Sequence, residues 1–193
     1  ALWPDIEVTI NLSPAQFYQS DLEIRLQELI AETGVSPTMV TLEITEGLLL
    51  EPSPRIMATL QAIRDLGFQI ALDDFGTGFS SLSYLVEYRF DKLKIDRSFV
   101  SAISQAGSAQ TVVQAVIRLG HALGMEVVAE GVETVTDSVT MRFWGSDHLQ
   151  GYFFSRPLPA DELIAFIGSY NSSSVALQFD EASNLLQSNG SLG

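Results

Sequence analysis

Short apolar runs alternate along the chain with longer segments in which apolar positions recur at helical spacing. The short runs are typical of buried strands, and the longer segments are typical of amphipathic helices. Six strands are predicted in this way, at residues 6–12, 40–45, 69–73, 92–96, 126–129 and 148–153. Helices are predicted after them, at residues 14–33, 53–66, 80–88, 109–123, 135–143 and 160–167.

The order of these segments predicts an α/β fold built from six β/α units. Ser13-Pro14 supplies an N-cap and a first-turn proline, and glycines follow several predicted helices. Connections of this length indicate parallel neighbouring strands. An open doubly wound sheet is one alternative, but polar residues follow every strand instead of gathering at one switch point. A TIM-like (β/α) barrel fits better, with about six of its eight units present.

Composition limits the classes of function. The 193 residues fit one domain, predicted at 1–170, and the polar run after it predicts a linker or C-terminal tail at 171–193. The net charge is −14, from 24 acidic and 10 basic residues, which argues against a nucleic-acid polymer as partner. No apolar run has the length of a membrane span, so no membrane contact is expected from this segment. The chain has no cysteine, which is compatible with a reducing compartment. We expect a cytoplasmic location, either for the whole protein or as the cytoplasmic part of a larger, membrane-associated protein.

A polar side chain lies in, or directly after, each predicted strand. Side chains alternate along a strand, so residues two apart share a face. If the last polar residues lie on the inward faces, one group of six converges on the carboxyl-terminal mouth of the barrel: Asn11, Glu43, Asp73, Lys94, Glu130 and Gln150. A lone strand-end acid more often caps a helix or meets solvent, but six in corresponding positions favour a functional site.

The adjacent acids Asp73 and Asp74 indicate a metal site. Two neighbouring carboxylates repel each other, and divalent cations are the natural compensation. Oxygen ligands suit Mg²⁺ or Mn²⁺. We expect Asp73 to bridge two ions and Asp74 to bind one of them, an arrangement that clamps a phosphoryl group and acidifies a water molecule. Lys94 would then neutralise charge that develops on the phosphate.

Other polar residues have a weaker claim on this site. Glu46 has the opposite parity to Glu43 and is expected to brace the loop at 75–79. Glu133 either holds water or favours the N-terminus of the next helix. Asp96 is assigned structural support, through Arg97 or Lys94.

The two histidines and three aromatic residues complete the candidates. His148 is a candidate that faces inward two residues before Gln150, whereas His121 is expected to pack on a helix. Base stacking is an alternative role for three aromatic residues, Phe75, Phe79 and Tyr84, although core packing is their default role.

The motifs together resemble the EAL-domain family, which hydrolyses the bacterial second messenger cyclic di-GMP to the linear dinucleotide pGpG. Six segments stand in the order of the family: 11–17 (NLSPAQF), 42–46 (LEITE), 73–82 (DDFGTGFSSL), 92–99 (KLKIDRSF), 129–134 (AEGVET) and 150–157 (QGYFFSRP).

The resemblance implies a role for each motif residue. It implies two Mg²⁺ or Mn²⁺ ions, held by Asn11, Glu43, Asp73 and Asp74, with Glu130 near them. Lys94 would assist the attacking water and the phosphate, Gln150 would lie at the same site, and Glu133 would support it. Glu46 would stabilise the loop at 74–81, which in this family helps to couple metal binding to dimerisation. The candidate substrate contacts are Phe75, Gly76, Thr77 and Gln150.

One expected motif is absent from the 193 residues. The Glu-Ala-Leu sequence that names the family, with an arginine two residues later, does not occur here and is expected upstream of Ala1. Its glutamate is a metal ligand and its arginine contacts substrate phosphate. We therefore expect an active parent protein, with a signalling or diguanylate-cyclase-like domain before this one and a homodimeric assembly. The 193-residue chain alone is expected to be inactive.

Two other functions remain open from the sequence. The first is a receptor that binds cyclic di-GMP without cleaving it, which the intact Asp73-Asp74 pair argues against. The second is an unrelated barrel enzyme that acts on carbon acids, with carboxylates on one Mg²⁺ and a lysine base. The ordered set of motifs disfavours it.

Overall fold

The computed structural model describes residues 6–49, 53–76, 82–103 and 107–169. Six strands occur within these ranges: β1 (Val8–Asn11), β2 (Val40–Thr45), β3 (Gln69–Phe75), β4 (Lys92–Ile95), β5 (Glu126–Ala129) and β6 (His148–Leu149). The α-helices there are α1 (Pro14–Phe17), α2 (Leu22–Thr33), α3 (Pro54–Asp65), α4 (Leu82–Tyr88), α5 (Arg97–Ala102), α6 (Ser108–Ala122), α7 (Val135–Trp144) and α8 (Ala160–Ser169). Short 3₁₀ helices at Pro37–Met39 and Glu46–Leu49 flank β2.

The chain divides into two units. The first comprises Ala1–Asp96 and Arg118–Val128, and the second comprises Arg97–Ile117 and Ala129–Gly193. In the first unit, β1, β2, β3 and β4 pair in parallel in chain order. The register aligns Asn11 with Glu43 and Thr45 with Asp73, so the predicted site residues come at the same end of the sheet.

The core of the first unit is formed by its central strands. Every residue of β4 is buried, as are five of six residues in β2 and five of seven in β3. Strands that are buried on both faces are typical of a parallel sheet covered by helices. The first strand differs, because all four of its residues are exposed, including Val8 and Ile10 at 49% each.

Helix α6 packs closely on the strands of the first unit at Gly120. A Cβ built there would lie 2.6 Å from Cγ2 of Val127 in β5 and 3.6 Å from Cδ2 of Leu93 in β4. The glycine therefore sets the distance between this part of the helix and the sheet.

The second unit contains β6 and the last two helices. Ala129, the final residue of β5, belongs to this unit, and its carbonyl accepts a 2.8 Å hydrogen bond from the amide of Gln150. The strand order is that of the chain, from β1 to β6. This is the predicted succession of six β/α units.

Several predicted boundaries were wrong. The helix predicted at 14–33 is two helices, because the capping box of Ser13 and Gln16 supports only a short α1 and the polar stretch Gln19–Ser20–Asp21 interrupts the pattern. The strand predicted at 148–153 ends at Leu149, since the residues after it turn and the amide of Phe154 donates to the carbonyl of Gly151.

Two further differences lie near the candidate site. Phe75 was placed in a loop but is the last residue of β3. Helix α5 was not predicted, since its six residues are too few for a helical period to stand out. Among the described helices, none combines the length and the apolar character that crossing a membrane requires.

Candidate functional site

The Asp73-Asp74 pair lies in a β-bulge. Between Leu72 and Phe75 the register shifts, so that β3 advances three residues while β4 advances from Leu93 to Ile95. Asp74 has a φ of 56°, in the left-handed region that aspartate tolerates better than most residues. Bulges bend a strand and re-aim side chains, and they are frequent beside active sites. Here the bulge allows two consecutive acids to serve one region, which simple alternation would not permit.

Lys94 is the cation at the centre of this region. Its Nζ lies 2.7 Å from Oε2 of Glu43 and 3.1 Å from Oδ1 of Asp73. The Lys94 and Glu43 side chains are almost fully buried, and that of Asp73 is mostly buried. One lysine thus joins acids that project from the two preceding strands.

Negative charge exceeds positive charge in this group. Among the described residues, the carboxylates of Glu43 and Asp73 pair with Lys94, and the carboxylate of Asp74 is close enough for its pKa to respond to the charges of Asp73 and Lys94. Burial raises the pKa of the Asp74 carboxyl, and the charges of Asp73 and Asp96 raise it further, while Lys94 acts in the opposite direction. A group of oxygens with excess negative charge in a partly buried position is what a divalent cation requires, so the donor set fits Mg²⁺ or Mn²⁺.

Asn11 stands beside Glu43 at the end of the first strand. The two residues are register partners, and the amide of Leu12 donates a 2.8 Å hydrogen bond to the carbonyl of Glu43. Asn11 is exposed, and its backbone lies at the same level of the sheet as Glu43. Its role as a ligand stays a prediction.

Glu46 contacts the segment after β3. Its Oε2 accepts a 3.1 Å hydrogen bond from the amide of Gly76, and the side chain is buried. Its second oxygen, Oε1, has no hydrogen-bond partner among the described residues. This is the contact that bracing of the loop requires, although the loop-stabilising role itself stays a prediction.

The remaining predicted site residues lie in the second unit. Glu130 directly follows β5 and is partly buried, whereas Gln150 directly follows β6 and is exposed. Glu133 is exposed, and its amide donates to Oδ2 of Asp137, the residue that also completes the capping box of α7 with Thr134. The alternative role of Glu133 near a helix N-terminus therefore stays open.

Some predictions fall outside what the structure describes. Thr77 and Phe79 lie outside the described residues, as does most of the loop at 74–81, and the side chain of Tyr84 is not described. The same holds for residues 171–193. His148 and His121 are both exposed, and Phe75 is buried, as core packing requires.

A second buried lysine was not singled out from the sequence. Lys92 lies two residues before Lys94, and its Nζ pairs with Glu7 and, at 3.6 Å, with Glu126. The side chains of these two acids are about half exposed. The alternation of Lys92, Leu93 and Lys94 was the signal that two cations share one face of β4.

The chain is a parallel β/α protein with a potential metal site at the carboxyl ends of its strands, in the acidic rim formed by Glu43, Asp73 and Asp74. Comparison with known proteins gives the family: the profile of the EAL domain matches residues 2–157. The chain belongs to the EAL-domain family, as the motifs predicted.

Relatives of known sequence agree with this assignment. The uncharacterized protein y4lL of Sinorhizobium fredii is 41% identical, over 90% of this chain and 21% of that protein. MucR of Pseudomonas aeruginosa, named a bifunctional diguanylate cyclase/cyclic di-GMP phosphodiesterase, is 33% identical over 84% of this chain and 24% of that protein. The chain spans about a fifth to a quarter of the length of these curated relatives.

Solved structures agree in fold. The MucR phosphodiesterase in complex with c-di-GMP superposes with a TM-score of 0.79 at 33% identity, over 83% of this chain and 65% of that one. BlrP1 of Klebsiella pneumoniae, solved with manganese and c-di-GMP, gives a TM-score of 0.73 at 36% identity, over 78% of this chain and 39% of that one. The predicted TIM-like fold class is confirmed.

Proposed function

We propose that the domain represented by this chain is a metal-dependent phosphodiesterase that hydrolyses cyclic di-GMP to linear pGpG in bacterial second-messenger signalling. The observation that supports this most directly is the buried group in which Lys94 lies between Glu43 and Asp73, with Asp74 beside them in a bulge. The names of related proteins supply the substrate.

The metal ligands proposed in the first unit are Asn11, Glu43, Asp73 and Asp74, and the sequence adds Glu130. Two divalent cations bound by such oxygens would polarise a phosphodiester and lower the pKa of a water molecule. The other roles proposed here belong to side chains of the protein.

Lys94 has the position and charge to act on the phosphate. Its ammonium is already ordered by two carboxylates, so no further ordering is required before it donates to a phosphate oxygen. In the reaction a water oxygen bonds to phosphorus and one P–O ester bond breaks, which opens the ring. The attacking water loses a proton and the departing ribose oxygen gains one, so one water is consumed for each ring opened.

The acid-rich chain also needs positive charge to receive an anionic substrate. The 10 bases are outnumbered by 24 acids, so bound cations would reduce the repulsion that a doubly negative dinucleotide meets. A metal-free protein should therefore bind cyclic di-GMP weakly. Gln150 and Glu133 are proposed to assist, and Phe75, Gly76 and Thr77 are proposed substrate contacts.

Partners and location follow from the same proposal. We propose a homodimer, a cytoplasmic location and an additional signalling or diguanylate-cyclase-like domain in the same protein, since MucR is named for both activities. Light scattering of the complete gene product tests the dimer, and a monomer at working concentration would contradict it.

The experiment that tests the function uses the complete gene product. It is incubated with cyclic di-GMP and Mg²⁺ or Mn²⁺, or with EDTA, and the products are separated by liquid chromatography and identified by mass spectrometry. We expect linear pGpG with either metal and none with EDTA. Lys92→Met, which removes a buried lysine away from the rim, serves as the folded control for Lys94→Met.

Metal-dependent ring opening in the parent and in Lys92→Met, but not in Lys94→Met, would support the proposal. Tight binding of cyclic di-GMP with no linear product at either metal would contradict it and identify a receptor instead.

A further inference from the structure

Two glycines each follow a predicted site residue of the second unit, and neither position has room for a side chain. A Cβ at Gly151, next to Gln150, would lie 2.2 Å from the carbonyl oxygen and 2.4 Å from the amide nitrogen of Val132. A Cβ at Gly131, next to Glu130, would lie 2.4 Å from Cβ of Arg97 and 3.1 Å from its Cα. Both glycines therefore permit a close approach between segments of backbone.

Hydrogen bonds join the same segments. The amide of Gln150 donates to the carbonyl of Ala129 at 2.8 Å, and the amide of Val132 donates to the carbonyl of Gln150 at 3.0 Å. The backbone of Gln150 is thus bonded to the residues on either side of the Glu130-Gly131 pair. The amide of Phe153 adds a third bond, at 3.0 Å, to the carbonyl of Val132.

These contacts fix the backbone from which two site residues project. Both backbone groups of Gln150 are hydrogen-bonded, and Glu130 lies in the two-residue stretch between the bonded residues Ala129 and Val132. Misplacement of a reacting group by about 1 Å can reduce the rate of an enzyme about 100-fold. The interlocked segments 129–132 and 150–153 therefore have a direct bearing on the chemistry assigned to the two side chains.

We propose that Gly131 and Gly151 are positioning residues, which hold Glu130 and Gln150 in the relative placement that catalysis needs. The inference rests on the proposed function for its kinetic consequence, but its structural consequence can be measured without any activity. Neither glycine is proposed to touch substrate or metal.

Gly131 has a matched control in the same chain. Its φ is +66°, and Gly34, which ends α2, has the same φ with no atom within 4 Å of a built Cβ. Asparagine adopts left-handed backbone at low cost. Gly34→Asn and Gly131→Asn therefore share the backbone requirement, and only Gly131→Asn forces a side chain against Arg97.

The kinetic test uses the complete gene product with cyclic di-GMP and Mn²⁺. For Gly131→Asn we expect kcat to fall about 100-fold and the Mn²⁺ concentration for half-maximal rate to rise about tenfold, the range seen when groups that orient ligands are lost. Arg97→Gly removes the Cβ that causes the clash, so the double variant should recover most of the rate. Gly34→Asn should stay within twofold of the parent.

A merely structural role predicts a different pattern. Partial unfolding of Gly131→Asn would lower the rate in proportion to the folded fraction measured by circular dichroism, and would leave the half-activating Mn²⁺ concentration unchanged. That pattern, or a kcat within twofold of the parent, would overturn the inference.

Hydrogen exchange provides the test that does not depend on activity. In Gly151→Ala the amides of Gln150, Val132 and Phe153 should lose at least tenfold in protection, while the amides of β2 and β3 keep theirs. If the parent hydrolyses no cyclic di-GMP, the proposed function fails. The protection of these amides still tests whether the close approach at Gly151 holds segments 129–132 and 150–153 together. Unchanged protection in Gly151→Ala would show that the close approach does not hold the two segments.

Discussion

The Nζ of Lys94 lies 2.7 Å from Oε2 of Glu43, so a single ion pair links β4 to a strand two places away in the sheet. Asp73, on the strand between them, accepts from the same ammonium at 3.1 Å. Both partners of the closer pair are nearly inaccessible to solvent. Loss of one partner therefore leaves a charge that water cannot easily reach.

Lys94→Met should destabilise the strands of the first unit by about 3 kcal/mol in the absence of metal, because two buried carboxylates lose their cation. Hydrogen exchange of the β2 and β3 amides in the complete gene product measures the change. Mn²⁺ should restore more stability to Lys94→Met than to the parent, since the ion then supplies the missing positive charge.

Lys92→Met is the matched control for this prediction. Its partners, Glu7 and Glu126, are about half exposed and can hydrate when the lysine is lost. We expect Lys92→Met to lose about 1 kcal/mol of stability. Mn²⁺ should stabilise this variant as much as it stabilises the parent. Equal losses in the two variants, or equal responses to Mn²⁺, would argue against a special charge balance at the rim.

Asp74→Asn removes the charge of the Asp74 side chain and keeps a residue that tolerates the same backbone conformation. Asparagine tolerates the φ of 56° that the bulge imposes, and the substitution removes a carboxylate that Asp73 and Asp96 repel. We therefore expect metal-free stability within about 1 kcal/mol of the parent, or slightly above it. Thermal unfolding with and without Mn²⁺ should show that the stabilisation by the ion is largely lost.

Asp74→Val is the companion variant, because valine keeps no charge and also resists left-handed backbone. It should be less stable than Asp74→Asn by about 1–2 kcal/mol. If the two variants were equally stable, the bulge geometry would not constrain this position.

Glu46 should act through the hydrogen bond that its side-chain oxygen accepts, and not through its charge. Glu46→Gln retains an oxygen for the amide of Gly76, whereas Glu46→Ala leaves that amide without its 3.1 Å partner. We expect Glu46→Ala to lose about 2 kcal/mol of local stability and Glu46→Gln to lose less than about 1 kcal/mol. Exchange of the Gly76 amide reports the difference, and rapid exchange in Glu46→Gln as well would show that the charge, not the hydrogen bond, is required.

The packing of α6 gives a prediction that is independent of the site. Gly120→Ala places a Cβ 2.6 Å from Val127, so thermal stability should fall, and Val127→Ala should restore part of it in the double variant. Gly168→Ala, in α8, meets no atom within 4 Å and should be neutral or stabilising. A neutral Gly120→Ala would mean that the helix can move away from the sheet.

Much of this arrangement could be predicted from the sequence, because the relevant signals are local. The strand ends follow from apolar runs that stop at a polar residue, and alternation places Lys94 on the face that carries Glu43 and Asp73. The motif order gave the family. The acidic pair was also sufficient to indicate a cation.

The bulge at Asp73-Asp74 could not be predicted in the same way. It arises from the pairing of β3 with β4, and no periodicity within β3 alone specifies one extra residue. The break between α1 and α2 and the early end of β6 have a similar origin, since contacts and turns overrode the local pattern. The sequence shows glycine at positions 131 and 151. It does not show their close approaches to Arg97 and Val132, because these depend on contacts between segments distant in sequence.

The most direct measurement of the central claim is the initial rate of linear pGpG formation by the complete gene product at saturating Mn²⁺, compared between the parent and Asp73→Asn. Asparagine preserves the size of the side chain and removes the charge that is proposed to bridge two ions. We expect Asp73→Asn to lower the rate at least about 1,000-fold, to weaken Mn²⁺ binding in parallel and to retain the fold. A rate for Asp73→Asn within threefold of the parent would contradict the proposed metal centre.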